Sequence, residues 1–162
     1  FEYFNGYLYF KNGFILNDNG LDIGIFTEMK KESNLLSNLK TTNAQISIFA
    51  SIFSSENNFD DCLLINSENN LIESSNSNLF IVKGGRIITS PISDGCVDGT
   101  MRSFIKNSFE VEENSLKEED LLSADEIFLT NAVQGVKWVE SFNEKKYQSH
   151  KVARLVFDKL NT

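Results

Sequence analysis

Between Cys62 and Thr89 the chain reads as a series of short apolar runs: CLLIN, LIE at Leu71–Glu73, NLFIVK and RIIT. Each run is too short for a stable helix and is bounded by Ser, Asn, Glu or Gly, so the runs read as strands. Gly84-Gly85 supplies the backbone angles of a tight hairpin, which pairs Asn78–Lys83 with Arg86–Thr89. Pro91 ends the series because it has no N–H to give to a ladder. Any fold for this chain must accommodate that block.

Other segments fit around it. Residues 1–16 alternate aromatic and polar positions about Asn5-Gly6 and Asn12-Gly13, which predicts two or three short strands. LDIGIF, from Leu21, reads as a short strand followed by a charged loop. From Asn43, a plausible N-cap, Ile46, Phe49, Ala50 and Phe53 share one helix face. A second helix is expected over Thr100–Asn107, with Met101, Phe104 and Ile105 on its buried side. Phe109–Glu113 reads as an edge strand, and Ser115 to Glu118 as a capping box opening a short helix to about Leu122. Strands over Glu126–Thr130 and Gly135–Glu140 follow. Ser149 is placed to cap a last helix with Val152, Leu155, Val156 and Leu160 on one face. The sum is one α/β domain with strands in the majority.

Composition narrows the function classes. The length of 162 residues suits one domain with a sizeable core, and 14 Phe residues can fill it. A formal charge of −8 and a pI near 4.7 argue against a nucleic-acid surface, which needs clustered Lys and Arg. No apolar run approaches the roughly 20 residues of a membrane span. Cys62 and Cys96 lack metal-ligand spacing and read as free thiols in a reducing compartment. A soluble cytoplasmic protein is the expectation.

Four places could carry chemistry. Lys40 precedes the first helix, where a side chain can point into a cleft from a fixed base; taken alone it reads as a solvated surface charge. Glu73 ends an apolar strand and is either a solvated carboxylate or one held against a cationic group. The Gly99-Thr100-Met101 helix start offers free backbone N–H groups to an anion, as many helices do. Thr130-Asn131 closes a strand, where polar groups either cap the backbone or line a cleft.

Together these places resemble the class IV, fold type IV family of pyridoxal-phosphate-dependent aminotransferases. Lys40-Thr41-Thr42-Asn43 resembles the family's K-x-x-N stretch. Glu73 with Ser77-Asn78-Leu79-Phe80 resembles its glutamate and S-N-[IL]-F strand. Thr89-Ser90-Pro91 and Gly99-Thr100-Met101-Arg102 resemble its T-P and G-[IV]-[TM]-R segments, with one inserted residue and Thr100 for the usual aliphatic. Ala124 to Asn131 resembles A-D-E-x-F-L-[ST]-N. The likeness covers most of Leu35–Glu140, and Met101 and Asn131 lean toward the aminodeoxychorismate lyase branch.

The resemblance implies an α/β (α+β) fold: the C-terminal large domain of a fold type IV enzyme, a mixed, strand-rich pseudo-barrel with flanking helices. It implies pyridoxal 5′-phosphate as cofactor, with Lys40 as the catalytic Schiff-base lysine and Glu73 on the ring nitrogen. Thr100, Met101 and Asn131 would hold the phosphate. The implied reaction is pyruvate elimination from 4-amino-4-deoxychorismate to give 4-aminobenzoate for folate synthesis, in a homodimer. A branched-chain or D-amino-acid aminotransferase of the same fold stays open, as does a non-catalytic α/β binding domain. By the same resemblance, residues 1–34 are a remnant of N-terminal-domain strands and the interdomain segment, and 35–162 the cofactor-binding domain. The family's smaller N-terminal domain, with its phosphate-clamping arginine, is expected to precede Phe1 in a longer chain. The tyrosine that transaminases often carry shortly after the lysine is replaced here by Ala44-Gln45-Ile46.

Overall fold

The computed structural model describes residues 14–34 and 36–161, together with the backbone of two short strands, β1 (Glu2–Phe4) and β2 (Tyr7–Tyr9). These two pair antiparallel; the Asn5-Gly6 and Asn12-Gly13 turns expected nearby lie outside the described residues. In chain order there follow β3 (Leu21–Lys31), α1 (Gln45–Glu56), β4 (Asp61–Asn66), β5 (Leu71–Ser74), β6 (Asn78–Lys83) and β7 (Arg86–Thr89). A 3-10 turn at Ile92–Asp94 leads to α2 (Thr100–Ser108), β8 (Val111–Glu113), α3 (Glu118–Ser123), β9 (Glu126–Asn131), β10 (Gly135–Phe142), β11 (Lys145–Lys146) and α4 (Lys151–Leu160).

Six strands close into a barrel. β3 pairs parallel with both β10 and β4. β4, β5 and β6 then run antiparallel, and β9 pairs antiparallel with β6 on one side and β10 on the other. Closure leaves these strands with paired edges, while β7, β8 and β11 extend the sheet outward. The expected strand-rich pseudo-barrel with flanking helices is the fold observed.

The period of two along each strand decides what faces where. Ile23, Leu63, Ile65, Leu71, Leu79, Ile81, Ile127, Leu129, Val139 and Phe142 come from all six strands and form one core, the barrel interior. Their alternates face outward under helices. Cys62, Leu64 and Ile72 meet Ala50 of α1, whereas Phe80, Val82 and Phe128 meet Ile105 of α2 and Ala153 and Val156 of α4. Phe80 and Phe128, directly opposed across β6 and β9, stack with ring centroids 5.1 Å apart.

The structure corrects several local expectations. β3 does not stop after LDIGIF; the charged stretch Thr27–Lys30 is its exposed half, and the strand continues to Lys31 opposite Asn66. Pairing with β4, which resumes at Lys31 after a register shift, outweighs the weak strand propensity of Glu and Lys. Asn43 does not cap α1, whose N-cap is Ala44, and Phe49 lies on the exposed side. At α3 the expected Ser115–Glu118 box does not form; the Asp120 carboxylate accepts the Lys117 N–H two residues later, and the Asp120 N–H goes to the Lys117 carbonyl. Ser149 does not cap α4: the buried Glu126 carboxylate accepts the Lys151 and Val152 N–H groups and the Ser149 hydroxyl, and Leu155 stays exposed.

Truncating Phe128 to Ala should lower unfolding free energy by about 3–5 kcal/mol in urea titration, because it opens a void in the stacked layer. Leu155→Ala, on the exposed side of α4, should change it by no more than about 0.5 kcal/mol.

Candidate functional site

The cavity that matters opens where β5 and β9 end and β6 begins. It encloses about 590 Å³ and is lined by Lys40, Glu73, Thr100, Met101 and Asn131, among others. That volume is within the range of small-molecule sites, about 300–1,000 Å³. All five residues singled out from the sequence therefore share one wall system, although four chain segments separated by many residues supply them.

Glu73 is buried near the end of β5, in register with Leu64 on one side and Asn78 on the other. Both of its oxygens are engaged. Lys31 Nζ donates to Oε1 at 2.6 Å, and the Val97 N–H donates to Oε2 at 2.8 Å. Lys31 also donates to the Ser37 carbonyl at 3.1 Å. A carboxylate out of water needs such hydrogen-bond partners, and here it has an ammonium and a backbone N–H. Lys31 was not among the residues the sequence singled out, because its strand reads as a charged loop. A lysine flanked by Lys30 and Glu32 carries no local signal of a buried partner.

Lys40 is exposed to the cavity, and among the described residues no hydrogen bond or ion pair holds its ammonium. The turn that precedes it is strapped down. The Asn38 amide donates to the carbonyls of Ile92 at 2.6 Å and Cys96 at 2.8 Å, and the Asp98 N–H donates to the Asn38 carbonyl at 3.0 Å. The lysine thus stands on a fixed base with a free end.

The start of α2 forms the third side. Its N-cap, Gly99, makes no side-chain cap, so the first-turn N–H groups are left for other acceptors. Glycine is required here by close approach: a Cβ would meet Asn78 Oδ1 at 2.7 Å. The same Asn78 amide donates to the Thr130 carbonyl at 2.9 Å and hydroxyl at 3.1 Å, which locks α2, β6 and β9 together. Below the helix start, the buried Arg102 donates to the Ser90 carbonyl at 3.0 Å, to Asp98 at 3.3 Å and to Glu113. The hydrogen bond from Lys106, then that from Arg102, hold the Glu113 carboxyl below its usual range.

Asn131 has a more local task than its pattern suggests. Its Oδ1 accepts the Val133 and Gln134 N–H groups, and its Nδ2 donates to Ser77 Oγ at 2.9 Å and to Asn76 and Gln134 at 3.3 Å. It shapes the turn between β9 and β10 and ties it to the turn between β5 and β6. A bond from its Nδ2 to a bound anion would replace one of the 3.3 Å contacts.

The arrangement sets an exposed amine, a buried and balanced carboxylate and an uncapped helix start around one small-molecule cavity. It offers no thiol chemistry, because burial pushes both Cys62 and Cys96 up to about 11. Both thiols should therefore be inert to a thiol reagent in the folded protein at pH 8 and react fully after unfolding in guanidinium.

Comparisons with known proteins bear on this geometry. The family described as amino-transferase class IV matches residues 17–142. A probable branched-chain-amino-acid aminotransferase of Thermotoga maritima is 38% identical over 92 residues, covering 54% of this chain and 34% of the relative. An aminodeoxychorismate lyase of Vibrio harveyi is 27% identical over 154 residues, covering 90% of this chain and 57% of the lyase. A solved structure described as a putative 4-amino-4-deoxychorismate lyase from Legionella pneumophila superposes with a TM-score of 0.82 at 25% identity. That match covers 91% of this chain and 57% of that one. The chain spans about a third or less of the length of the first curated relatives it matches.

Proposed function

The chain belongs to the class IV amino-transferase family, whose enzymes depend on pyridoxal phosphate, and from that premise we propose that it is the cofactor-binding part of a lyase. The reaction would remove pyruvate from 4-amino-4-deoxychorismate to leave 4-aminobenzoate. The observation that carries the reading is that Lys40, Glu73 and the uncapped start of α2 line one cavity. These are the three groups the cofactor needs: an amine for its aldehyde, a carboxylate for its ring nitrogen and a cradle for its phosphate.

Bound there, pyridoxal phosphate would supply an electron sink for negative charge developing beside the substrate nitrogen. The chain's own residues do the rest. Lys40, with no fixed partner among the described residues, can hold the aldehyde carbon and afterwards carry a proton to or from the neighbouring carbon. Glu73, fixed at both oxygens, would present its remaining lone pairs to the ring N–H. The Thr100 and Met101 backbone N–H groups and the Thr100 hydroxyl would take the phosphate oxygens, with Asn131 walling the same side. Residues 35–162 would form the cofactor-binding unit, with β3 contributing Lys31 to it.

Support for the lyase comes from the Vibrio lyase, which aligns along 90% of this chain. A branched-chain aminotransferase is the second reading, favoured by the higher identity of the Thermotoga relative over its shorter span. We also propose a cytoplasmic homodimer. Ile48, Phe49 and Ile52 on α1 and Leu36 and Leu39 beside it are exposed and apolar, a surface suited to a second copy. The two buried free thiols suit a reducing compartment.

Protein incubated with pyridoxal phosphate should show a visible absorption band, and borohydride should fix the cofactor on Lys40. Lys40→Ala should remove the band and lower turnover at least about 10²-fold. Pyruvate release from aminodeoxychorismate identifies the lyase; amino transfer from leucine to 2-oxoglutarate identifies the aminotransferase instead. Absence of the band in wild type would overturn the cofactor reading.

A further inference from the structure

We infer that Lys31 is a positioning residue for this site, a bridging cation that sets Glu73 and the Lys40 turn at one fixed spacing. The inference rests on the cofactor reading for its chemical consequence, but its structural basis is independent of any ligand. Lys31 is the last residue of β3 and reaches Glu73 from outside the cavity lining. One ammonium group makes two bonds, to Glu73 Oε1 at 2.6 Å and to the Ser37 carbonyl at 3.1 Å. Ser37 is itself buried and locked: its hydroxyl accepts the Asn34 N–H and donates to the Glu32 carbonyl, and its own N–H donates to the Asn34 carbonyl. Three residues further on is Lys40.

The bridge continues through the carboxylate. Glu73 Oε2 takes the Val97 N–H, and Val97 lies two residues before the Gly99 N-cap of α2. A single chain of charge-assisted bonds therefore runs from the Lys40 turn through Lys31 and Glu73 to the helix start. Such bonds are the stronger ones in proteins, and this ion pair is largely out of water, with side chains 19% and 10% exposed. The cation also has an electrostatic task. It balances the buried carboxylate at 2.6 Å and draws charge from Oε1. Lys31 would thus set both where Glu73 stands and how firmly it holds the ring nitrogen.

The experiment reads amide exchange by NMR in the cofactor-free protein, at Val97 and across residues 36–39, for Lys31→Met, Lys31→Gln and Lys31→Arg. Loss of the bridge should speed exchange at both places about tenfold in the Met and Gln variants. Arg, which keeps the charge and two donors, should restore most of the protection. The same substitutions are repeated in a Glu73→Gln background, where the Lys31 effect should largely disappear because its partner's charge is gone. Pyridoxal phosphate affinity, titrated by the visible band, should weaken in Lys31→Met, whereas in the Glu73→Gln background the same substitution should add little to the loss that Glu73→Gln itself causes. Unchanged exchange at Val97 in both uncharged variants would overturn the inference. So would an acceleration of equal size with and without the Glu73 carboxylate, since that would mark a general loosening of β3. A wild-type protein that takes up no pyridoxal phosphate would sink the cofactor reading instead, and the two failures are told apart because exchange is read without the cofactor.

Discussion

The structure depends on one buried carboxylate being satisfied from two directions. Glu73 sits in a strand with no exposed face, where an unpaired charge would cost several kcal/mol. Its two partners, Lys31 and the Val97 N–H, come from segments 42 residues before it and 24 residues after it. Satisfying that one group obliges β3 to extend to its full length and obliges the loop before α2 to fold back over the barrel end. The cavity is the space left between those two obligations.

The second constraint lies at the start of α2. An uncapped helix start is stable only if the helix is held elsewhere, and Arg102 holds it. The guanidinium is buried and donates to the exit of β7, to the loop before the helix and to β8 at once. Removing a side chain of that size would leave carbonyl and carboxylate groups short of donors, so the anion cradle above it rests on an ionic footing below. Gly99 then brings the helix against Asn78 more closely than any other residue could. Footing and close approach act on the same short turn, and that turn is what faces the cavity.

Much of this was legible in the chain. The runs between Cys62 and Thr89 are local signals, bounded by turn residues, and they became β4 to β7 with small shifts of boundary. Lys40, Glu73, Thr100, Met101 and Asn131 stand out by order and spacing, and the fold brings them to one cavity. What stayed hidden was non-local. Closure by β9 between β6 and β10 is decided by packing rather than by the EIFLT run itself. Glu126 displaces Ser149 as the helix cap because a buried carboxylate needs donors more than a hydroxyl does. Lys31 could not be read at all, since its strand owes its second half to its neighbours and not to its own residues.

The charge of the cavity sets a limit on what these residues do by themselves. Among the described residues lining it, Lys40 is the one cation, against the carboxylates of Glu73 and Asp98. If Lys40 is committed to a carbonyl carbon, a phosphate dianion meets helix-start N–H groups, hydroxyls and neutral side-chain amides such as that of Asn131, and no second cation among the described lining residues. A helix start contributes typically about 0.3–1 kcal/mol to an anion, and at most about 2 kcal/mol in partly buried geometry. That is enough to orient a phosphate and too little to bind one tightly. On the proposed reading, affinity would come from the covalent hold at Lys40 and the ring contact at Glu73, with any further cation brought over the cavity mouth by another segment or a second copy. In such a site the spacing between lysine and carboxylate matters more than the strength of either, because one rigid ligand must satisfy both ends while the cradle fixes the third.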